Sequence, residues 1–157
     1  MELSGSATLV VEATVERVWA MISDPLRMPE WSPECRRVEW LSGEPPAAVG
    51  VGMRFCGHNR LPFVGTWKSR STVVEYDPPR RYAWLVGNDP SRPNTRWEYE
   101  LTPLPGGGCS VTERYEMIRE PAVVLAYYRL VGRRRRLEQG MAVTLSRLKE
   151  AVETGKA

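Results

Sequence analysis

Residues 95–118 read TRWEYELTPLPGGGCSVTERYEMI, and this stretch predicts two strands and the turn between them. In 95–102, Trp97, Tyr99 and Leu101 alternate with Arg96, Glu98 and Glu100. A period of two is that of a strand with one face covered and the other in water. PLPGGG interrupts the pattern with turn residues, and 109–118 resumes it. An antiparallel sheet with one apolar face follows. Glu113 shares the parity of Val111, Tyr115 and Met117, which places a carboxylate on that apolar face.

The alternation extends outward from this hairpin. Residues 81–87 (RYAWLVG) put Tyr82, Trp84 and Val86 on one side. Residues 64–76 (VGTWKSRSTVVEY) set Trp67, Ser69, Ser71 and Val73 against Lys68, Arg70 and Thr72. Residues 34–42 (ECRRVEWLS) form another strand. In 51–60, VGMRFCGHNR, a face that begins with Met53 and Phe55 continues with Gly57 and Asn59. A strand that stops filling its buried face lines a cavity, or else Asn59 sits at a frayed strand end in water.

Helical signals flank the strands. Residues 6–13 (SATLVVEA) suit a first strand, and Thr14 then caps a helix with Val15, Val18, Trp19 and Ile22 along one side. Asp24-Pro25 ends that helix, and Asp24 caps a second short one that starts at Pro25. From Pro121 the period changes, and Leu137, Met141, Leu145, Leu148 and Val152 form a helical stripe. One long helix is expected from there to about residue 153, roughly 30 residues and about 45 Å. The predicted fold is α+β and comprises one domain over 1–157. Two short helices follow the first strand, and a curved antiparallel sheet of about seven strands wraps the long C-terminal helix.

Composition narrows the function classes. Hydrophobic residues make up 42% and charged residues 26%, as in ordinary globular chains. Six Trp and six Tyr against two Phe favour large apolar bodies with a polar handle. The net charge of +3 does not point to nucleic acid. Cys35, Cys56 and Cys109 are scattered, and one His completes no common zinc set. No metal, cofactor, P-loop, dinucleotide fingerprint or nucleophile elbow is expected. The N-terminus lacks a leader pattern, and no window approaches a membrane span, so a cytoplasmic location and no stable membrane insertion are expected.

The element order and several motifs resemble the SRPBCC superfamily, which includes START-like, polyketide cyclase/dehydrase-like and Bet v 1-type proteins. VEATVERVWAMISDPLRMPEWSPE is similar to the N-terminal helix pair of the cyclase/dehydrase-like branch, through Val18-Trp19, Asp24-Pro25 and Trp31-Ser32-Pro33. The middle strands resemble those of small actinobacterial members. The resemblance implies a helix-grip fold around a deep apolar pocket. It implies no single activity, because the superfamily holds carriers, receptors, cyclases and chaperone cofactors. Pocket arginines of the long-polyketide cyclases, paired with Tyr or Ser, have no residue-by-residue counterpart here.

Candidate ligand-binding residues are Trp31, Phe55, Asn59, Trp67, Ser69, Trp84, Trp97, Tyr99, Tyr115, Tyr128 and Arg134. The aromatic residues would form walls, and Asn59 and Arg134 would orient polar groups. Tyr128 either closes the pocket mouth or is core. Glu113 is the candidate catalytic acid or base if it faces inward, and a register shift would send it to solvent. Arg134, three residues before Leu137 and seven before Met141, lies near the apolar stripe, whereas Arg133, Arg135 and Arg136 point elsewhere and form a solvated helix face or an anchor for anionic membrane. The leading function is binding of a small hydrophobic or amphipathic ligand: a lipid, a polyketide or an aromatic metabolite. The alternatives are a polyketide cyclase/dehydrase-type enzyme and a protein-interaction module. A homodimer is compatible with either.

Overall fold

Strands β1 (Leu3–Val11), β2 (Cys35–Trp40), β3 (Arg54–Leu61), β4 (Gly65–Asp77), β5 (Arg81–Val86), β6 (Thr95–Pro103) and β7 (Cys109–Met117) form one antiparallel sheet. Their order is β1-β7-β6-β5-β4-β3-β2. The computed structural model describes residues 3–62 and 64–155. Residues 1, 2, 63, 156 and 157 of the expected domain lie outside the described residues.

The first strand starts earlier than SATLVVEA implied, because Leu3 to Val11 pair in register with Met117 to Cys109 of β7. Helix α1 (Val15–Ile22) and a 3-10 helix (Pro25–Glu30) follow β1. The Thr14 hydroxyl accepts a hydrogen bond from the Arg17 amide at 3.3 Å, and Asp24 accepts one from the Leu26 amide at 3.0 Å. Each cap satisfies an amide that a helix start leaves without a partner.

The expected single C-terminal helix is two helices, α2 (Ala122–Leu130) and α3 (Arg133–Glu153). Gly132 between them has φ +64°, a left-handed conformation that no continuous helix contains. The apolar stripe from Leu137 onward falls entirely in α3. It therefore carried no information about a break before Arg133.

The curved sheet and α3 enclose the interior as a helix-grip fold. Val18, Trp19 and Ile22 of α1 pack with Val73, Tyr82, Val111 and the C-terminal half of α3, through Leu145, Leu148 and Val152. Leu137 and Met141, from the other half of α3, cluster with Tyr115. The two halves of α3 thus do different work. One is embedded beside α1, and the other covers the part of the sheet that carries Gly57, Asn59 and Glu113.

Candidate functional site

A cavity of about 320 Å³ lies between the concave face of the sheet and the N-terminal half of α3. Register aligns its wall across five strands. Asn59 pairs with Trp67, Gly57 with Ser69, Phe55 with Ser71, Trp84 with Trp97, Trp97 with Tyr115, and Tyr99 with Glu113. All of these residues line the cavity. Trp84 and Trp97 lie nearly parallel at 6.4 Å, and Tyr99 and Tyr115 flank them at 5.8 and 5.5 Å. The result is an aromatic wall with an amide at one side and a carboxyl group at the other.

Gly57 and Asn59 belong to this wall. A Cβ on Gly57 would stand 3.1 Å from the Ser69 hydroxyl, so glycine leaves that hydroxyl open to its neighbour. Asn59 Nδ2 donates to Ser69 Oγ at 2.8 Å. Two short polar side chains therefore hold each other where bulky residues would fill the space.

Glu113 faces inward and is 5% exposed. Tyr99 donates its phenolic hydrogen to Glu113 Oε1 at 3.2 Å. Oε2 is buried with no hydrogen-bond partner among the described residues. Burial pushes the carboxyl pKa up to about 8; the Tyr99 hydrogen bond opposes this, and the charge of Glu34 adds to it. At neutral pH Glu113 is mainly a neutral acid, with a proton to donate. Asn94 Oδ1, on another lining residue, also lacks a partner. Buried polar atoms without partners inside a cavity mark where a bound molecule can make hydrogen bonds.

Ten of the twelve sequence-derived candidates line the cavity: Phe55, Asn59, Trp67, Ser69, Trp84, Trp97, Tyr99, Glu113, Tyr115 and Tyr128. Two do not. Trp31 is packed in the core at 2% exposure, and the Arg27 guanidinium lies 5.7 Å from the centre of its ring. The residues after it, Ser32, Pro33 and Glu34, reach the cavity instead. Arg134 points away: its side chain is 64% exposed and pairs with Glu138 at 3.0 Å. Arg133 takes the expected place, lining the cavity and pairing with Glu34 at 3.5 Å. Successive helical residues differ by roughly 100° in direction, so Arg133 and Arg134 leave α3 on different sides, and the expectation that Arg133 points elsewhere is overturned together with that for Arg134.

Arg133, Glu34, Glu120, Cys35, Lys68, Asn94, Thr95 and Thr144 add to the polar lining and were not singled out as site residues from the sequence. Thr144 carried a signal, because it lies beside Leu145 and one turn from Met141 on the inward stripe. Burial raises the Cys35 thiol to about 11, which keeps it protonated and a poor nucleophile.

On the outer face, ligand atoms of Glu39, Cys56 and His58 lie within 4.8 Å of one another. Glu39 and His58 are already paired with each other at 2.9 Å, and the Arg37 guanidinium contacts Glu39 at 2.9 Å and His58 Nε2 at 3.1 Å. Among the described residues, no helix is long and apolar enough to cross a membrane.

The family model described as polyketide cyclase / dehydrase and lipid transport matches residues 3–153. No curated protein matches the chain. Among solved structures, the polyketide cyclase-like protein Cgl2372 of Corynebacterium glutamicum is 29% identical, with a TM-score of 0.63 over 99% of this chain and 94% of that one. DR_A0006 of Deinococcus radiodurans is 20% identical, with a TM-score of 0.66 over 97% of this chain and 98% of that one. The di-domain aromatase/cyclase StfQ of the steffimycin biosynthetic pathway is 15% identical, with a TM-score of 0.76; 99% of this chain spans 52% of that protein. The latter two likenesses concern the fold alone. With a family model matched along nearly its whole length and a helix-grip architecture, the chain belongs to the polyketide cyclase/dehydrase and lipid transport family of the SRPBCC superfamily.

Proposed function

We propose that the protein binds a small hydrophobic or amphipathic ligand, of lipid, polyketide or aromatic-metabolite type, in the cavity between the sheet and α3. The observation that carries this reading is Glu113: a buried acid on an aromatic wall, with one oxygen held by Tyr99 and the other without a partner. A core position does not tolerate such an atom without cost, whereas a site that hydrogen-bonds a ligand requires one. The volume of about 320 Å³ is at the low end for small-molecule sites, roughly 300–1,000 Å³, and so favours a compact ligand. Trp67, Trp84, Trp97 and Tyr128 supply apolar contact. Asn59 and Glu113 orient a ligand carbonyl or hydroxyl, and Arg133 offers charge beside Glu34.

A second reading, an enzyme of the cyclase/dehydrase kind, is favoured by the same acid. With its pKa raised to about 8, Glu113 can give its proton to a carbonyl oxygen or a departing hydroxyl. The carboxylate it leaves can then take a proton from an adjacent carbon, which restores the acid. Asn59 would polarise the carbonyl.

Native mass spectrometry of gently purified protein tests the binding reading, and a discrete mass released on denaturation is the expected result. That compound then separates the two readings. Asn59→Leu weakens binding in both. Glu113→Gln retains binding under both and abolishes turnover under the second. Absence of any bound mass, together with no thermal stabilisation across a broad panel of hydrophobic ligands, would overturn the proposal.

A further inference from the structure

Helix α2 is apolar around its circumference, yet none of its residues is buried. Its sequence, AVVLAYYRL, has Arg129 as its single charged side chain. Val124, Leu125 and Tyr128 are half-buried, and Tyr128 lines the cavity. Val123, Tyr127 and Leu130, spaced by four and three, form a stripe that is 75%, 59% and 86% exposed. A helix apolar on all sides is normally enclosed by protein or by lipid.

Its surroundings are strongly basic. Residues 118–136 contain six arginines and one glutamate, a net +5, whereas the whole chain carries +3. Arg119, Arg135 and Arg136 are exposed and make no ion pair among the described residues. Glu120, the one acid of the segment, lines the cavity. An apolar stripe beside a cationic run matches the interface of an anionic bilayer, where side chains enter the headgroup boundary and arginines meet phosphates. A second copy seated on the same stripe about a two-fold axis would bring two +5 segments together.

We propose that α2 and the adjacent arginines dock the protein reversibly on anionic lipid bilayers, with Val123, Tyr127 and Leu130 in the interface and Arg135 and Arg136 at the phosphates. Because α2 also borders the cavity through Tyr128, docking places the cavity beside the acyl chains. The docking itself does not depend on what the cavity holds.

Vesicle flotation of the full chain tests the surface, with phosphatidylcholine vesicles alone and with about one-third phosphatidylglycerol. Binding is expected to the anionic vesicles, to weaken in high salt, and to be slight on neutral ones. Leu130→Asp and the pair Arg135→Glu with Arg136→Glu should each weaken it roughly tenfold or more. These positions are exposed, and unchanged melting curves would show that the variants fold. If Leu130→Asp fails to fold, the arginine pair remains a test. Asn59→Leu should bind vesicles as the unsubstituted protein does, so failure of the ligand reading would be distinguishable. The proposal is overturned if the unsubstituted protein ignores anionic vesicles or if neither variant alters binding. It is equally overturned if the surface forms a dimer that Leu130→Asp dissociates without vesicle binding.

Discussion

Tyr99 and Glu113 face each other across paired positions of β6 and β7, and the Tyr99 hydroxyl donates to Glu113 Oε1 at 3.2 Å. The bond favours the carboxylate, but burial disfavours it more strongly, and the carboxyl pKa rises to about 8. Burial also holds the Tyr99 phenol well above its usual value. The pair is therefore mainly uncharged near neutrality, with its remaining hydrogen-bonding capacity turned to the cavity.

This arrangement makes stability depend on pH. Below about pH 4.5, the usual value of the group, Glu113 is protonated in the folded and the unfolded chain alike. Between there and about pH 8 the unfolded chain releases the proton and the folded one keeps it. Folded stability then falls as pH rises, by up to about 1.4 kcal/mol per pH unit. The lowered carboxyls of Glu30, Glu39, Asp89, Glu100 and Glu153 act in the opposite sense, losing stability as pH falls below their usual range. Glu120 is raised by burial and shares the direction of Glu113, but it is present in both proteins compared. Glu113→Gln should melt increasingly above the unsubstituted protein from pH 5 to pH 8. A constant difference across that range would mean that Glu113 is not a buried neutral acid.

Asn59 and Ser69 place a polar pair in the cavity wall, joined at 2.8 Å. Asn59→Leu removes a half-buried amide and adds apolar surface, but it also takes the partner of the half-buried Ser69 hydroxyl, so folding stability should change by no more than about 1 kcal/mol. Affinity for a ligand hydrogen-bonded by that amide should drop roughly tenfold. Quenching of the cavity tryptophans Trp67, Trp84 and Trp97 during a ligand titration reads the affinity, and urea unfolding reads the stability. Loss of both together would assign Asn59 to folding rather than to binding.

The strand faces were legible because alternation survives in one dimension. Trp97, Tyr99 and Trp84 fall on the inner parity without knowledge of their neighbours, and the bulge between Val73 and Glu75 displaces only the end of β4. Glu113 was legible for the same reason: an acid out of place in an alternating strand is visible as a broken pattern. Arg134 was misplaced because a spacing of three and seven residues from Leu137 and Met141 puts it only at the edge of the inward face, where its long side chain turns to solvent and pairs with Glu138, while Arg133, four residues before Leu137, turns inward to Glu34. Trp31 was misplaced because a 3-10 helix precedes it and supplies no simple period from which to infer a direction. Glu34, Asn94 and Glu120 reach the cavity from between strands or before α2, where position is set by tertiary packing and not by repeat.

The break at Gly132 predicts a specific sensitivity. Beyond its adjacent residues, no atom of the described residues lies within 4 Å of a Cβ built there, so Gly132→Ala meets no clash and is opposed by backbone conformation alone. At φ +64° that opposition is worth about 1 kcal/mol. The urea midpoint should fall accordingly, with an unchanged denaturant slope. A variant that relieves the strain by joining α2 to α3 would lift Tyr128 from the cavity and weaken ligand binding beyond what the stability change accounts for. A Gly132→Ala protein with unaltered midpoint would show that the left-handed residue is not required.

On the convex face, six side chains close an alternating ring: Arg81, Glu75, Arg96, Glu98, Arg114 and Glu100, each within 3.5 Å of the next. The ring ties β4, β5, β6 and β7 together on the side opposite the cavity. Isolated surface pairs contribute little, but Glu98 is the least exposed member at 14% and serves two arginines at once, Arg96 at 2.8 Å and Arg114 at 3.1 Å. Glu98→Gln should cost about 1 kcal/mol at low salt, and less in 1 M salt, where charges are screened beyond about 3 Å. Combined with Arg114→Met, the loss should be smaller than the sum of the single losses, because the second change removes a cation that the first left short of a carboxylate. Additive losses, unaffected by salt, would mean that the ring is a set of independent contacts and that the sheet behind the cavity is held by its strand pairing alone.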